Sequence, residues 1–106
     1  MLACVSVLLT SCEKDYTKAE NLAGTVWKYN HLSGEYALLV FTSTNTVEFW
    51  VKSTGEPEYL NGEFSFSVYN NRIQCSYEGE TYFTGTIDKN TITATIEDET
   101  AVFVRQ

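Results

Sequence analysis

The sequence predicts a single all-β domain, a small antiparallel up-and-down barrel of about eight strands, and three observations lead to this prediction. From residue 24 onward, apolar and polar side chains alternate with the period of two that is typical of strands. Short stretches of turn-forming residues separate the alternating segments, and connections this short join only antiparallel neighbours. The length of 106 residues leaves room for one hydrophobic core.

The eight predicted strands follow one another along the chain. They cover residues 25–29, 36–42, 46–52, 60–69, 72–77, 81–87, 91–97 and 100–105. Glycine, asparagine and aspartate, the residues that favour tight turns, lie between them, as at Ser33-Gly34 and Asn70-Asn71. Consecutive hairpins in an open sheet leave two exposed edges, and closure into a barrel removes both. We therefore expect a closed barrel over residues 24–106.

Alternation also predicts which side chains point into the barrel. In segment 46–52, Phe49 shares one face with two valines, while Trp50 shares the other face with charged residues. The same alternation in later segments turns three more large apolar side chains inward: Phe64, Ile73 and Ile92. A small barrel either fills its interior with such side chains or keeps a pocket for one ligand. The inward phenylalanines make a filled interior at least as strong an expectation as a pocket.

The first residues form an apolar run that is far shorter than the roughly 20 residues of a membrane-spanning helix. The run ends in Leu9-Thr10-Ser11-Cys12, which resembles the lipobox of bacterial lipoproteins. The resemblance implies a signal peptide over residues 1–11, lipidation of Cys12 and attachment to a membrane through that lipid. Residues 12–23 are then expected to be a polar tether. The alternative, an ordinary buried strand, fits less well because a polar stretch follows rather than a turn.

The charged residues after Cys12 are similar to those of surface-exposed Bacteroidetes lipoproteins, and this similarity implies a place in the cell envelope, at the outer membrane, on either its periplasmic face or the cell surface. A second resemblance concerns the domain. An opening Gly24-Thr25-Val26-Trp27, a meander of strands and a last strand ending at Arg105 resemble the lipocalin-like (calycin) barrels. This resemblance implies that Trp27 closes the base of the barrel and that Arg105 lies across its ring in a cation–π contact.

The composition and motifs argue against several classes of function. A net charge of −7 and a pI near 4.5 disfavour a nucleic-acid partner. His31 is the only histidine, and the pattern places it in a loop. A zinc site needs about three or four protein ligands, and no cysteine stands at ligand spacing from His31. Cys75 lies on the core face without a basic partner, and the acidic run at 97–99 is typical of a solvated hairpin tip. We expect no enzyme, no catalytic residue, no metal and no cofactor.

Aromatic residues at the rim or on the outer face are the candidates for contact with a ligand or partner. They are Tyr29, Tyr36, Trp50, Tyr59 and Tyr82. Alternation places Trp50 on the outer face, where it either packs against the loop at 53–58 or forms an interface. Tyr59 adjoins that longest loop, and the other three tyrosines are expected at one mouth of the barrel, where the alternative is that they merely cover the core.

These observations favour a non-catalytic binding protein of the cell envelope, which holds a small apolar ligand or meets a protein partner. Two alternatives stay open. The acidic loops could meet a basic hydrolase, as in an inhibitor of a host or competitor lysozyme, and Trp50 could mark an accessory subunit of an envelope assembly. The interior separates these hypotheses: a cavity above about 300 Å³ favours ligand carriage, whereas tight filling favours a surface role.

Overall fold

A computed structural model describes residues 14–106, so the predictions on the signal peptide and on Cys12 lie outside the described residues. One short helix precedes eight strands. Helix α1 covers Ala19–Leu22, and the strands are β1 (Val26–Leu32), β2 (Glu35–Phe41), β3 (Thr46–Lys52), β4 (Tyr59–Tyr69), β5 (Arg72–Tyr77), β6 (Glu80–Asp88), β7 (Thr91–Ile96) and β8 (Glu99–Arg105).

The strands form a closed barrel in chain order, which confirms the predicted fold class. Each strand pairs antiparallel with the next, and β8 pairs with β1. Two-residue turns make this possible because their first residue adopts a left-handed backbone that suits a tight hairpin, with φ of 58° at Asn70, 52° at Glu78 and 57° at Lys89. The prediction of a lipocalin-like up-and-down barrel is thereby confirmed as an architecture.

Because the strands alternate in direction, their connections gather at two ends of the barrel. The open end, as we call it, carries the connections 33–34, 53–58, 78–79 and 97–98. The closed end carries the connections 42–45, 70–71 and 89–90 together with the entering segment 14–25. The position of an inward side chain along its strand therefore tells whether it lies near the open end or near the closed end.

The core fills the barrel from the closed end to its middle. Its largest fully buried side chains include Trp27, Phe41 and Phe103. Phe41 meets Phe66 edge-on, with ring centroids 5.0 Å apart. The predicted inward residues Phe64, Ile73 and Ile92 are buried as expected, and Phe49 is half-buried against the core.

Packing on the β5–β7 side is tight around one glycine. A Cβ added at Gly85 would lie 3.0 Å from the Thr93 carbonyl oxygen and 3.2 Å from a methyl group of Ile73. A side chain at this position would therefore push against the backbone of the neighbouring strand. The missing side chain thus lets neighbouring strands and Ile73 approach closely.

The segment before β1 covers the closed end instead of hanging free. Leu22 is fully buried, and Tyr16, with 9% exposure, packs edge-on against Trp27 at a centroid distance of 5.5 Å. Thr25 ties the segment to the barrel, since its hydroxyl donates to the Leu22 carbonyl at 2.6 Å and accepts from the Trp27 indole at 2.7 Å. From about Asp15 on, the stretch predicted as a polar tether is therefore part of the domain, because its apolar residues complete the core.

Strand β1 is longer than predicted and runs to Leu32, which corrects the expectation that His31 lies in a loop. The pairing of β1 with β2 shifts between Asn30 and Leu32, so His31 is the extra residue of a β-bulge. A bulge interrupts the alternation of apolar and polar side chains, so the sequence pattern predicted that β1 ends before His31. The longer β1 carries His31 to the rim of the open end.

Candidate functional site

The open end contains a cavity of about 370 Å³ between strands β1, β2, β3 and β8. Its walls are mainly apolar and include Tyr29, Ala37, Phe49, Val51 and Phe103. The volume lies above the roughly 300 Å³ at which pockets begin to hold drug-sized ligands. The interior of this barrel is consequently filled at one end and hollow at the other.

Small side chains on two inward-facing rows create this space. Along β2 the inward row reads Leu39, Ala37, Glu35 toward the open end, and along β8 it reads Phe103, Ala101, Glu99. Leu39 and Phe103 are fully buried. One step further out, alanine removes the volume that a leucine or phenylalanine would fill, and the cavity begins there.

The cavity also lies where the barrel seam is weakest. Within residues 14–106, β1 and β8 pair only at Trp27 with Arg105 and at Lys28 with Val104. Beyond Lys28, β1 continues to the open end without a paired residue on β8, while both strands still line the cavity. Toward the open end the seam is therefore closed by side chains such as Tyr29 and Phe103, whose ring centroids lie 5.7 Å apart, and not by ladder pairs.

The inward rows end in polar residues at the mouth. His31, Glu35 and Glu99 stand one step beyond Tyr29, Ala37 and Ala101 in their rows, and all three polar residues line the cavity. The cavity lining contains two more charged residues, Glu97 and Lys52. Carboxylates thus outnumber ammonium groups at the mouth by three to one among the described residues.

Hydrogen bonds hold several of these polar groups in place. The Lys52 ammonium donates to the Ser53 carbonyl at 2.9 Å, and the Thr54 hydroxyl donates to Glu35 at 3.2 Å. The Tyr29 hydroxyl lies 3.2 Å from His31 Nδ1, and the Tyr29 ring packs against Phe103 at a centroid distance of 5.7 Å. The mouth therefore has a defined polar arrangement above an aromatic wall.

Tyr36 stands at the rim and contacts two charged side chains, Glu58 and Lys28. Its hydroxyl donates to the Glu58 carboxylate, and this hydrogen bond raises the pKa of the Tyr36 phenol above its ordinary value. The Lys28 ammonium lies 4.3 Å from the centre of the Tyr36 ring. Tyr36 connects the loop at 53–58 to β1 and β2, so it braces one side of the mouth.

Two of the five predicted contact residues, Tyr29 and Tyr36, line the cavity. The other three lie elsewhere. Trp50 is half-buried on the outer face, paired with Leu38 and Leu60, and its indole donates to Glu48 at 2.9 Å. Tyr59, at the start of β4, is 48% exposed. Tyr82 stacks on Phe64 at 4.7 Å on the opposite side of the barrel.

The closed end brings the predicted pair Trp27 and Arg105 together, with one difference in contact. The two residues pair across the seam, and Trp27 is fully buried. The Arg105 guanidinium, however, lies over the Tyr16 ring at 5.2 Å, and its Nε donates to Asn90 at 2.9 Å. Tyr16 takes the place over the guanidinium that was expected for Trp27, because the entering segment folds back across the base.

Other reactive groups lie away from the cavity. Burial raises the pKa of the Cys75 thiol to about 12, so the thiol stays protonated at neutral pH. Within residues 14–106, no three histidine, cysteine or acidic side chains cluster closely enough to hold a metal ion. No helix in that part of the chain has the length and apolar character to cross a bilayer.

Comparisons with known proteins return no match to a family model, a curated protein or a solved structure. The cavity is consequently interpreted from its own residues. Sequence reasoning missed its small and acidic members, Ala37, Ala101, Glu35 and Glu99. A signal was present, since in both β2 and β8 an acidic residue, an alanine and a large apolar residue occupy successive inward positions.

Proposed function

We propose that this protein is a non-catalytic binding protein of the cell envelope and that the cavity at its open end holds a small apolar ligand. The support is one observation, a preformed space of about 370 Å³ with an aromatic and aliphatic wall. A small apolar ligand would cover the apolar side chains that this open cavity leaves in contact with water. The volume favours ligand carriage over the lysozyme-inhibitor and accessory-subunit hypotheses, which depend on the outer surface.

Binding of the neutral apolar fluorophore N-phenyl-1-naphthylamine to the purified protein tests this proposal. We expect its emission to rise on titration with wild-type protein. The double variant Ala37→Leu, Ala101→Leu fills the cavity and is expected to bind the fluorophore at least about tenfold more weakly, the usual scale for losing a well-fitted apolar site.

The matched control is Val102→Leu, which adds a methylene next to Ala101 on the outer face, where Val102 is 45% exposed. This control should bind the fluorophore like the wild type. Circular dichroism and urea unfolding of all variants establish that each is folded. Equal binding by the folded cavity-filled variant, or the absence of binding by the wild type, would contradict the proposal.

The envelope location rests on Cys12, and the fold adds a geometric argument to that part of the proposal. Cys12 precedes Tyr16 by four positions, and Tyr16 is fixed against Trp27 at the closed end. A lipid on Cys12 would then lie within about 14 Å of Tyr16, the reach of a short extended chain. The closed end would face the bilayer, and the cavity would open away from it.

Intact-mass analysis of the protein recovered from membranes tests the anchor. We expect a mature chain that begins at Cys12 and carries acyl groups, and loss of both the modification and membrane association in Cys12→Ala. Recovery of Cys12→Ala in the membrane fraction at the wild-type level would contradict the anchor and leave the proposal on the cavity untouched.

A further inference from the structure

We propose that the natural ligand is an amphipathic cation, with an apolar body inside the cavity and an ammonium or similar cationic group at the mouth. This inference rests on the proposed function, since it concerns the same cavity. It goes beyond that function by naming the chemical class of the ligand.

The carboxylates of the mouth belong to the same inward rows as the wall. Glu35 follows Ala37 toward the open end of β2, and Glu99 follows Ala101 toward the open end of β8. A ligand that extends along either row passes from apolar contact to a carboxylate in one residue step. Glu97 adds a third carboxylate from the adjoining hairpin turn.

The positive charge at the mouth is smaller than the negative charge. Lys52 is the one lysine or arginine among the described residues of the lining, and its ammonium donates to the Ser53 carbonyl. His31 has its Nδ1 within hydrogen-bond distance of the Tyr29 hydroxyl. A ligand carboxylate would therefore meet three carboxylates of the protein with little to compensate them, whereas a ligand ammonium would meet complementary charge.

The deeper wall explains why the ligand needs an apolar body as well. Ala37, Phe49, Val51 and Ala101 offer carbon atoms and no side-chain hydrogen-bonding group. A small hydrophilic cation would leave this wall in contact with water, and a polar group placed there would lose its own hydration without a partner.

Three probes with one apolar body and different head groups test the inference. They are 1-naphthylmethylamine, 1-naphthalenemethanol and 1-naphthoate, titrated into the purified protein by isothermal calorimetry at pH 7 and low ionic strength. We expect the amine to bind at least about tenfold more tightly than the carboxylate, with the alcohol between them, from the usual size of partly exposed charge pairs. Added salt should narrow the difference because it screens the mouth.

The double variant Glu35→Gln, Glu99→Gln removes the carboxylates while keeping their shape. We expect the affinity for the amine to fall at least about fivefold and that for the alcohol to stay within about twofold. The matched control, Glu63→Gln with Glu78→Gln, removes the same charge from exposed residues outside the cavity lining. It should bind all three probes like the wild type, which separates the mouth from the overall charge of −7.

The outcomes distinguish this inference from the function on which it rests. If the alcohol binds but the carboxylate binds as tightly as the amine, the inference is overturned and the apolar cavity stands. The inference also fails if the control loses as much affinity for the amine as the variant of Glu35 and Glu99. If none of the three probes binds, both the inference and the proposed function are overturned.

Discussion

The two ends of this barrel are built from the same strands but differ in what lies between them. At the closed end, Trp27 fills the interior, and the entering segment covers it with Tyr16 and Leu22. At the open end, the same inward rows carry alanine and then charge, and a cavity of about 370 Å³ results. The fold therefore concentrates its packing at one end and its open space at the other.

This division has a physical reason. A small domain has limited apolar area to bury, so each unfilled space at one position must be balanced by good packing elsewhere. The short segment before β1 supplies that packing, since Leu22 and Tyr16 bury apolar surface that the strands alone would leave exposed. An under-packed open end can then persist in a stable barrel.

The largest test of this division compares one aromatic side chain from each end. We expect Trp27→Ala to lower the free energy of unfolding by about 3–5 kcal/mol, because Trp27 is fully buried and its indole is hydrogen-bonded to Thr25. Phe49→Ala should cost only about 1–2 kcal/mol, because Phe49 is half-buried and faces the cavity. Urea unfolding measures both, and equal losses would mean that the two ends are packed alike.

A smaller effect is expected when a side chain is enlarged instead of removed. Ala94→Leu inserts volume at a fully buried position and should destabilise the barrel by about 1–3 kcal/mol. Ala37→Leu projects into the cavity and should change stability by less than about 1 kcal/mol in either direction. Thermal unfolding of the two variants provides the comparison, and a larger loss for Ala37→Leu would show that the cavity cannot accept the added atoms.

A thiol at each place can be used to compare the filled interior with the cavity wall, and Cys75 is the thiol of the filled interior. Burial raises the pKa of Cys75 from 9.0 to about 12, so the unfolded chain loses this proton first as the pH rises. The contribution to stability is fully present below pH 9 and is lost toward pH 12 at about 1.4 kcal/mol per pH unit. Urea unfolding between pH 9 and 10.5 should show a shallower decline for Cys75→Ala, and an unchanged slope would contradict the burial of the thiol.

A thiol introduced on the cavity wall at the open end allows the matching experiment. With Cys4, Cys12 and Cys75 changed to serine, Ala101→Cys places one thiol on the cavity wall. We expect it to react with a disulfide reagent in the folded protein at pH 8, whereas Cys75 in its native place reacts only on unfolding. Equal protection of both thiols would indicate that the open end excludes reagent as the core does.

The smallest expected effect lies at the rim and involves no change in packing. The pKa of the Tyr36 phenol is raised because its hydroxyl donates to Glu58. Glu58→Gln should shift the titration of Tyr36 back down toward its ordinary value, as followed by NMR or ultraviolet absorbance. Tyr36→Phe identifies the signal, and a titration that does not move in Glu58→Gln would remove the hydrogen bond as its cause.

Much of the architecture could be predicted from local patterns. Alternation identified all eight strands and the inward placement of Phe64, Ile73 and Ile92, because the period of two depends only on neighbouring residues. It could not identify the role of Tyr16 or Leu22, since a short polar segment with two apolar residues has no strong period. Nor could it extend β1 through the bulge at His31.

The candidate site was predicted only in part, for a similar reason. Tyr29 and Tyr36 were expected at the mouth because aromatic residues near strand ends are visible in the sequence, and both line the cavity. Tyr82 was expected beside them. It lies instead at a bulge of β6, where it stacks on Phe64, because a one-residue shift in pairing redirects a side chain.

The sequence by itself determined the strand count, the antiparallel order and the inward face of most strands, since these follow from short-range alternation and short turns. Tertiary structure alone decided where the interior is hollow, because a cavity depends on side chains from strands far apart in the chain. It also decided that the carboxylates of Glu35 and Glu99 meet at one mouth. These two residues lie 64 positions apart in the sequence, and they come to line the same cavity only when β8 returns to β1 and closes the barrel.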